Sequence, residues 1–123
     1  MIAALALVIV ACASPTPAQT IPIPAGALEV RAADIAFAPS RLSVQAGQPF
    51  VLYFANGDTL PHNVVIIGSG GARMFVGEIF SGVAQRIQDV PALAPGVYQL
   101  HCDVHPEMTG DLEATLSAAQ TST

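Results

Sequence analysis

The stretch HCDVHPEM, residues 101–108, holds four side chains that can ligate a soft or borderline metal ion: His101, Cys102, His105 and Met108. The residues VYQLHC at 97–102 follow a Pro-Gly turn and predict a β-strand. Neighbouring side chains of a strand point to opposite faces, so Cys102 lies on the core side with Tyr98 and Leu100. His101 then points away, which leaves three candidates with the spacing Cys-x-x-His-x-x-Met.

This loop lacks a second imidazole, and of the three histidines in the chain only His62 remains to supply one. His62 begins a predicted strand, HNVVII at 62–67, directly after the turn-rich segment NGDTLP. Two imidazoles, a thiolate and a weak axial thioether suit copper in an electron-transfer site, whereas zinc gains little from methionine. The alternative is a structural cysteine with surface histidines and a core methionine, which explains each residue singly but not the set.

Short apolar or alternating runs continue through the chain, separated by Gly, Pro, Asn and Asp. They predict about eight strands, an arrangement typical of a β-sandwich or barrel. The segment 32–38 is alanine-rich but precedes Pro39 and has no helical period, so it is interpreted as strand and loop. The predicted strands cover residues 28–33, 41–45, 50–56, 62–67, 75–80, 85–90, 97–102 and 110–116.

Composition limits the function classes. The chain has 123 residues and a net charge of −5, with four scattered arginines and no lysine, which predicts one small domain that does not bind nucleic acid. The glycines at 68–71 lack the spacing of a phosphate-binding loop, and no Gly-x-Ser-x-Gly motif occurs. Three histidines leave no second metal site for oxidase chemistry. The chain is therefore predicted not to be an enzyme.

The first eleven residues, MIAALALVIVA, are apolar but shorter than the roughly 20 residues of a membrane-spanning helix. Together with Cys12 they resemble the lipobox of bacterial lipoproteins, although an ordinary secretory leader with an incidental cysteine is the alternative. A lipidated Cys12 would leave Cys102 without a disulfide partner. We therefore predict a signal segment at 1–11, a lipidated cysteine and Pro-rich tether at 12–26, a folded domain at 27–117 and a disordered tail at 118–123.

The pair His62-Asn63, followed by the 102–108 loop, resembles the cupredoxins, the type 1 or blue copper proteins, and most closely their plastocyanin- and amicyanin-like group. Residues 37–56 are also similar to the first strands of that fold. The resemblance implies an all-β Greek-key sandwich with one copper that cycles between Cu(II) and Cu(I). It also implies that the copper ligands are His62, Cys102 and His105, with Met108 axial.

The resemblance further implies that Asn63 joins the two ligand-bearing segments by a hydrogen bond. Many relatives carry a hydroxyl or a small residue after the cysteine, where this chain has Asp103. Its carboxylate could accept from the Asn63 amide, and its charge is expected to favour Cu(II) and lower the reduction potential relative to Asp103→Ser. His101 is interpreted as a surface histidine, with a remote electron relay as the alternative.

In this family electrons pass through the C-terminal histidine, here His105, across an apolar docking patch to redox partner proteins. The residues expected to form that patch are Leu60, Pro61 and Pro106. The chain is thus predicted to be a monomeric, exported electron carrier, lipid-anchored at a periplasmic or other extracytoplasmic membrane surface. A copper-binding or delivery module without an electron-carrier role is the alternative.

Overall fold

A computed structural model describes residues 8–12 and 20–117 of the chain. Nine β-strands form in these residues, together with one 3-10 turn at Ser69–Gly71. The strands are β1 (Leu28–Ala33), β2 (Ala36–Ala38), β3 (Arg41–Gln45), β4 (Phe50–Asn56), β5 (Val65–Ile67), β6 (Arg73–Val76), β7 (Ala84–Val90), β8 (Gly96–His101) and β9 (Thr109–Thr115).

The strands form two sheets, with the orders β2-β1-β4-β7 and β3-β9-β8-β5-β6. The pairs β1/β4 and β3/β9 are parallel, and the other pairs are antiparallel. The chain changes sheet at the β2–β3, β3–β4, β4–β5, β6–β7 and β7–β8 connections. This interleaving confirms the predicted all-β Greek-key sandwich.

The core lies between the two sheets because inward and outward side chains alternate along the strands. In β8, Tyr98 and Leu100 are buried, and so is Cys102 just beyond its end, whereas Val97 on the opposite face is 71% exposed. The predicted inward direction of Cys102 is therefore confirmed. The largest fully buried side chains include Leu52, Tyr53, Phe54, Ile66, Leu93, Leu100, Met108 and Leu112.

The segments predicted as strands at 62–67 and 75–80 pair with each other only in part. Regular pairing is confined to β5 and β6, and His62 adds an isolated bridge to Phe80. Between these points the Asn63 side chain donates to the Gly77 carbonyl at 3.1 Å, so a side chain replaces a ladder hydrogen bond. This substitution explains why the regular strand begins three residues after His62.

The N-terminal segment contacts the domain at Ile21. The Tyr53 hydroxyl donates to the Ile21 carbonyl at 3.2 Å, and the Ile21 N–H donates to Gln85 Oε1 at 3.2 Å. The predicted tether is thus bonded to the domain at Ile21, while 13–19 and the predicted tail at 118–123 fall outside the described residues. Cys12 is exposed and not bonded to Cys102. In the described ranges, no helix has the length and hydropathy needed to cross a membrane.

Candidate metal centre

The candidate donors meet at one end of the sandwich, where β8 ends and the β4–β5 loop returns. Cys102 follows β8, His105 and Met108 lie in the short β8–β9 loop, and His62 lies between β4 and β5. Because β5 pairs antiparallel with β8, with Val65 opposite His101, the residues before β5 lie beside those after β8. Sheet register therefore brings together donors that are 40 residues apart in sequence.

Both imidazoles direct their Nδ1 atoms at the same sulfur. Cys102 Sγ lies 4.0 Å from His62 Nδ1 and 3.8 Å from His105 Nδ1. The ligand atoms of the three residues all lie within 4.8 Å of one another. His62 and Cys102 are fully buried and His105 is partly buried, so solvent reaches the cluster only on the His105 side.

The Cys102–Met108 loop is closed by its own backbone. The Met108 N–H donates to the His105 carbonyl at 2.9 Å, and the Cys102 N–H donates to the Met108 carbonyl at 3.2 Å. These bonds fold the loop back so that Met108, which is 1% exposed, lies near the other three residues. The thioether is thus enclosed with the thiol and both imidazoles.

The distances fit a single first-row metal ion. A metal ion with bonds of about 2.0 Å to nitrogen and about 2.3 Å to sulfur, as for protein-bound zinc, would hold the two atoms about 3.7 Å apart at a bond angle of about 120°. The separations of 3.8 and 4.0 Å in this structure are close to that value. A borderline-soft donor set of two nitrogens, one thiolate and one thioether favours copper over magnesium, calcium or manganese.

The orientation of His62 is set by Asp58, which our sequence analysis missed. His62 Nε2 lies 3.1 Å from Asp58 Oδ1, and the carboxylate can only accept, so Nε2 carries the proton and Nδ1 presents its lone pair to the cluster. Asp58 also accepts from the N–H groups of Leu60 at 2.8 Å and Asp34 at 3.0 Å. Burial raises the pKa of Asp58, but these N–H groups and His62 outweigh it, so the pKa lies below its ordinary value.

The β4–β5 loop that carries Asp58 is organised by Asn56, a buried residue noted in the sequence only as a turn signal. Asn56 Oδ1 accepts from the Asp58 N–H at 3.0 Å, while its amide donates to the Leu60 and Phe80 carbonyls at 2.8 and 3.1 Å. The sequence signal for this arrangement is the asparagine-glycine-aspartate turn at 56–58, which ends four residues before His62.

Asn63 and Asp103 are linked as expected. Asn63 Nδ2 donates to Asp103 Oδ2 at 3.2 Å, and the Asp103 N–H donates to Asn63 Oδ1 at 2.9 Å. These bonds join the segment that carries His62 to the loop that carries Cys102. Hydrogen bonds of this kind, made by residues next to the candidate ligands, orient the segments that carry those ligands.

Asp103 has a second partner that the sequence did not indicate. Arg73 in β6 donates to both carboxylate oxygens, Nη1 to Oδ1 at 2.9 Å and Nη2 to Oδ2 at 2.7 Å. This guanidinium is the main cause that holds the pKa of Asp103 below its ordinary value, with partial burial opposing it and Asn63 adding to it. The residues are 30 positions apart, and only the sheet register reveals the pair.

His101 does not join the donor cluster, as predicted from strand alternation. Its Nε2 lies 4.0 Å from Asp103 Oδ1, and its side chain is 23% exposed. The residues expected to form an apolar patch lie in the two loops at this end: Leu60 is 41% exposed, Pro61 is partly buried and Pro106 is exposed. Val104, at 38% exposure, adds an apolar side chain that we had not included.

Solved structures of known proteins share the fold of this chain. No curated protein sequence matches the chain. Auracyanin from the photosynthetic bacterium Roseiflexus castenholzii has a TM-score of 0.66 at 17% identity, covering 73% of this chain and 97% of that one. Auracyanin A from Chloroflexus aurantiacus, described as a "blue" copper protein, has a TM-score of 0.62 at 19% identity, covering 72% and 98%.

A variant of amicyanin in its reduced state is similar at 25% identity and a TM-score of 0.59, covering 76% of this chain and 86% of that one. The family model of the cupredoxin-like domain matches residues 2–113. With a family match over most of its length and a sandwich that brings the expected donors together, the chain belongs to the cupredoxin-like family.

Proposed function

We propose that this chain is a type 1 copper protein that carries single electrons between redox partner proteins. The family assignment supports this function, because cupredoxins are electron-transfer copper proteins. The proposal adds the residues that would hold the copper ion: His62, Cys102, His105 and Met108. The observation that carries it is the convergence of two imidazole Nδ1 atoms on one buried sulfur.

Bound copper would supply the one-electron couple, Cu(II)/Cu(I). The protein would fix the positions of the ligands and exclude water from them. The closed 102–108 loop fixes three of them, and Asp58 fixes the fourth through His62 Nε2. Asn63 joins the two loops, so neither can move without the other. A donor set held in this way limits rearrangement between the oxidation states.

We propose that electrons enter and leave through the His105 edge, since His105 is the one imidazole of the cluster that reaches the surface. The apolar side chains of Leu60, Pro61, Val104 and Pro106 lie in the same two loops and would form a weak, transient docking surface. The partner is therefore a redox protein with a matching apolar patch, and the carrier acts as a monomer.

We propose that the domain is exported and lipid-anchored through Cys12. The lipobox-like sequence and the exposure of Cys12 support this, and the two or more acyl chains of such an anchor give stable membrane attachment. Up to Ile21 the Pro-rich segment would act as a spacer, since the domain holds the chain from that residue onward. The domain would then work at an extracytoplasmic membrane surface.

The proposal is tested by adding Cu(II) to the purified domain and recording visible absorption and EPR spectra. An intense thiolate-to-copper charge-transfer band is expected, lost in Cys102→Ser. The matched control is Cys12→Ser, which removes the exposed thiol and should keep the band. A colourless wild-type protein, or a band lost with Cys12, contradicts the assignment. Fast electron self-exchange with slow copper exchange would separate the carrier from a copper-delivery module.

A further inference from the structure

Two carboxylates lie next to the candidate copper centre, and they differ in whether a cationic side chain neutralises their charge. Asp58 bonds to the imidazole of His62, and Asp103 bonds to Asn63 immediately after Cys102. A negative charge close to the copper stabilises Cu(II) relative to Cu(I), because reduction removes one unit of positive charge from the centre. The reduction potential therefore depends on how much of each carboxylate charge remains uncompensated.

The charge of Asp103 is compensated. Arg73 donates to both of its oxygens at 2.9 and 2.7 Å, a bidentate pair with the geometry that guanidinium and carboxylate prefer. At the copper the two opposite charges largely cancel. The potential-lowering effect of Asp103 is therefore offset by Arg73, so the intact pair has little net effect on the potential.

The charge of Asp58 has no such partner. Its contacts are the N–H groups of Leu60 and Asp34 and the imidazole of His62, none of which is a permanent cation. The chain has no lysine, and each of its four arginines contacts a different carboxylate: Glu29, Asp111, Asp103 and Glu78. Among the described residues, no permanent cation is left for Asp58.

We propose that Asp58 is the carboxylate that biases this copper centre toward Cu(II), and that Arg73 keeps the charge of Asp103 from acting on it. This inference rests on the proposed copper function and adds two positioning residues to it. Asp58 acts through the Nε2–H of His62, where an anionic acceptor makes the ligating imidazole more electron-donating. Arg73 acts through Asp103, outside the ligand set.

The test is a spectroelectrochemical titration of the copper-loaded full chain in four variants. Asp58→Asn should raise the reduction potential by about 59 mV or more. A shift of that size is a tenfold change in the equilibrium constant with a one-electron mediator. Arg73→Gln should lower it and Asp103→Asn should raise it. The double variant Arg73→Gln/Asp103→Asn should return close to wild type, because it removes both charges of the pair.

The control is Arg41→Gln, which makes the same change of charge as Arg73→Gln in an exposed pair with Asp111. Water screens this side chain, which is 88% exposed, so a much smaller shift is expected. A potential that does not rise in Asp58→Asn, or that does not fall in Arg73→Gln, overturns the inference. Arg73 is largely at the surface and lies outside the β4–β5 loop. The Arg73→Gln measurement therefore tests the inference even if Asp58→Asn disturbs that loop.

A second readout uses the copper-free protein. Nitrogen-15 NMR of His62 should show the Nε2–H tautomer in wild type and a mixture in Asp58→Ala, whereas equal spectra would contradict the role of Asp58. If wild type shows the Nε2–H tautomer but no charge-transfer band with copper, the proposed function fails and the Asp58 contact stands. If the band is present and the potentials do not move as stated, the inference fails alone.

Discussion

Asn63 and Asp103 bond to each other in both directions, Asn63 Nδ2 to Asp103 Oδ2 at 3.2 Å and Asp103 N–H to Asn63 Oδ1 at 2.9 Å. Asn63 is fully buried and its amide also donates to the Gly77 carbonyl at 3.1 Å. One side chain thus joins three loop segments around the donor cluster.

Replacing Asn63 by Ala should destabilise the copper-free protein, because it leaves the Asp103 N–H and the Gly77 carbonyl without this partner. The expected loss is about 1–3 kcal/mol of unfolding free energy. Urea unfolding measures it, with Gln99→Ala on the exposed face of β8 as the control. Equal stability of Asn63→Ala and the control would show that the network does not stabilise the fold.

Gly77→Ala should also be destabilising. A Cβ at this position would lie 2.8 Å from the Val64 carbonyl oxygen and 3.0 Å from Gln88 Oε1, so the backbone that supplies the Asn63 acceptor must shift. We expect a loss of about 1–3 kcal/mol. Gly68→Ala is the matched control, since its Cβ would meet only ordinary contacts from 3.4 Å. A comparable loss in both variants would argue against the close approach at Gly77.

Met108→Leu should keep the fold and the charge-transfer band but raise the reduction potential. The swap nearly conserves volume and should cost less than about 1.5 kcal/mol, while it removes a sulfur donor that supports the higher oxidation state. Potentiometry with thermal unfolding of the copper-free form checks both parts. A potential equal to that of wild type would exclude Met108 from the ligand set.

The Arg73–Asp103 pair should make the stability of the copper-free protein depend on pH. The pKa of Asp103 is lower in the folded than in the unfolded chain, so its contribution is present above the unfolded value of about 3.9. It is lost as the pH falls from that value through the folded pKa. Urea unfolding at pH 7 and pH 3 should show a smaller difference in Asp103→Asn than in wild type. An unchanged difference would contradict the prediction.

Val104→Glu should slow electron self-exchange, because it places like charges on the surface through which two copies would meet. The effect should be roughly tenfold at low ionic strength and smaller in high salt. NMR line broadening in mixtures of oxidised and reduced protein measures the rate. Val97→Glu adds the same charge near the start of β8, away from the His105 end, and should change the rate much less. Equal slowing in both variants would place the exchange surface elsewhere.

Much of the site follows from local sequence. The Cys-x-x-His-x-x-Met loop directly after an alternating strand places Cys102 inward and His101 outward, because strand alternation is a property of the backbone itself. His62 was identified as the second imidazole donor by elimination, because the chain has three histidines, of which His101 points outward and His105 already lies in the loop. The strands at 28–33, 41–45 and 50–56 were predicted with the bounds that the structure has, since each is a short run between strong turn signals.

The sequence by itself therefore determined the sandwich class, the donor types and which side of β8 the sulfur occupies. Only the tertiary structure decided which charges surround those donors. Arg73 reaches Asp103 through the register of β5 with β6 and β8, and the β4–β5 loop brings Asp58 onto His62. Any of the four arginines could have paired with Asp103 as far as sequence spacing shows. Ion pairs between distant residues depend on register and loop geometry, which short-range patterns do not encode.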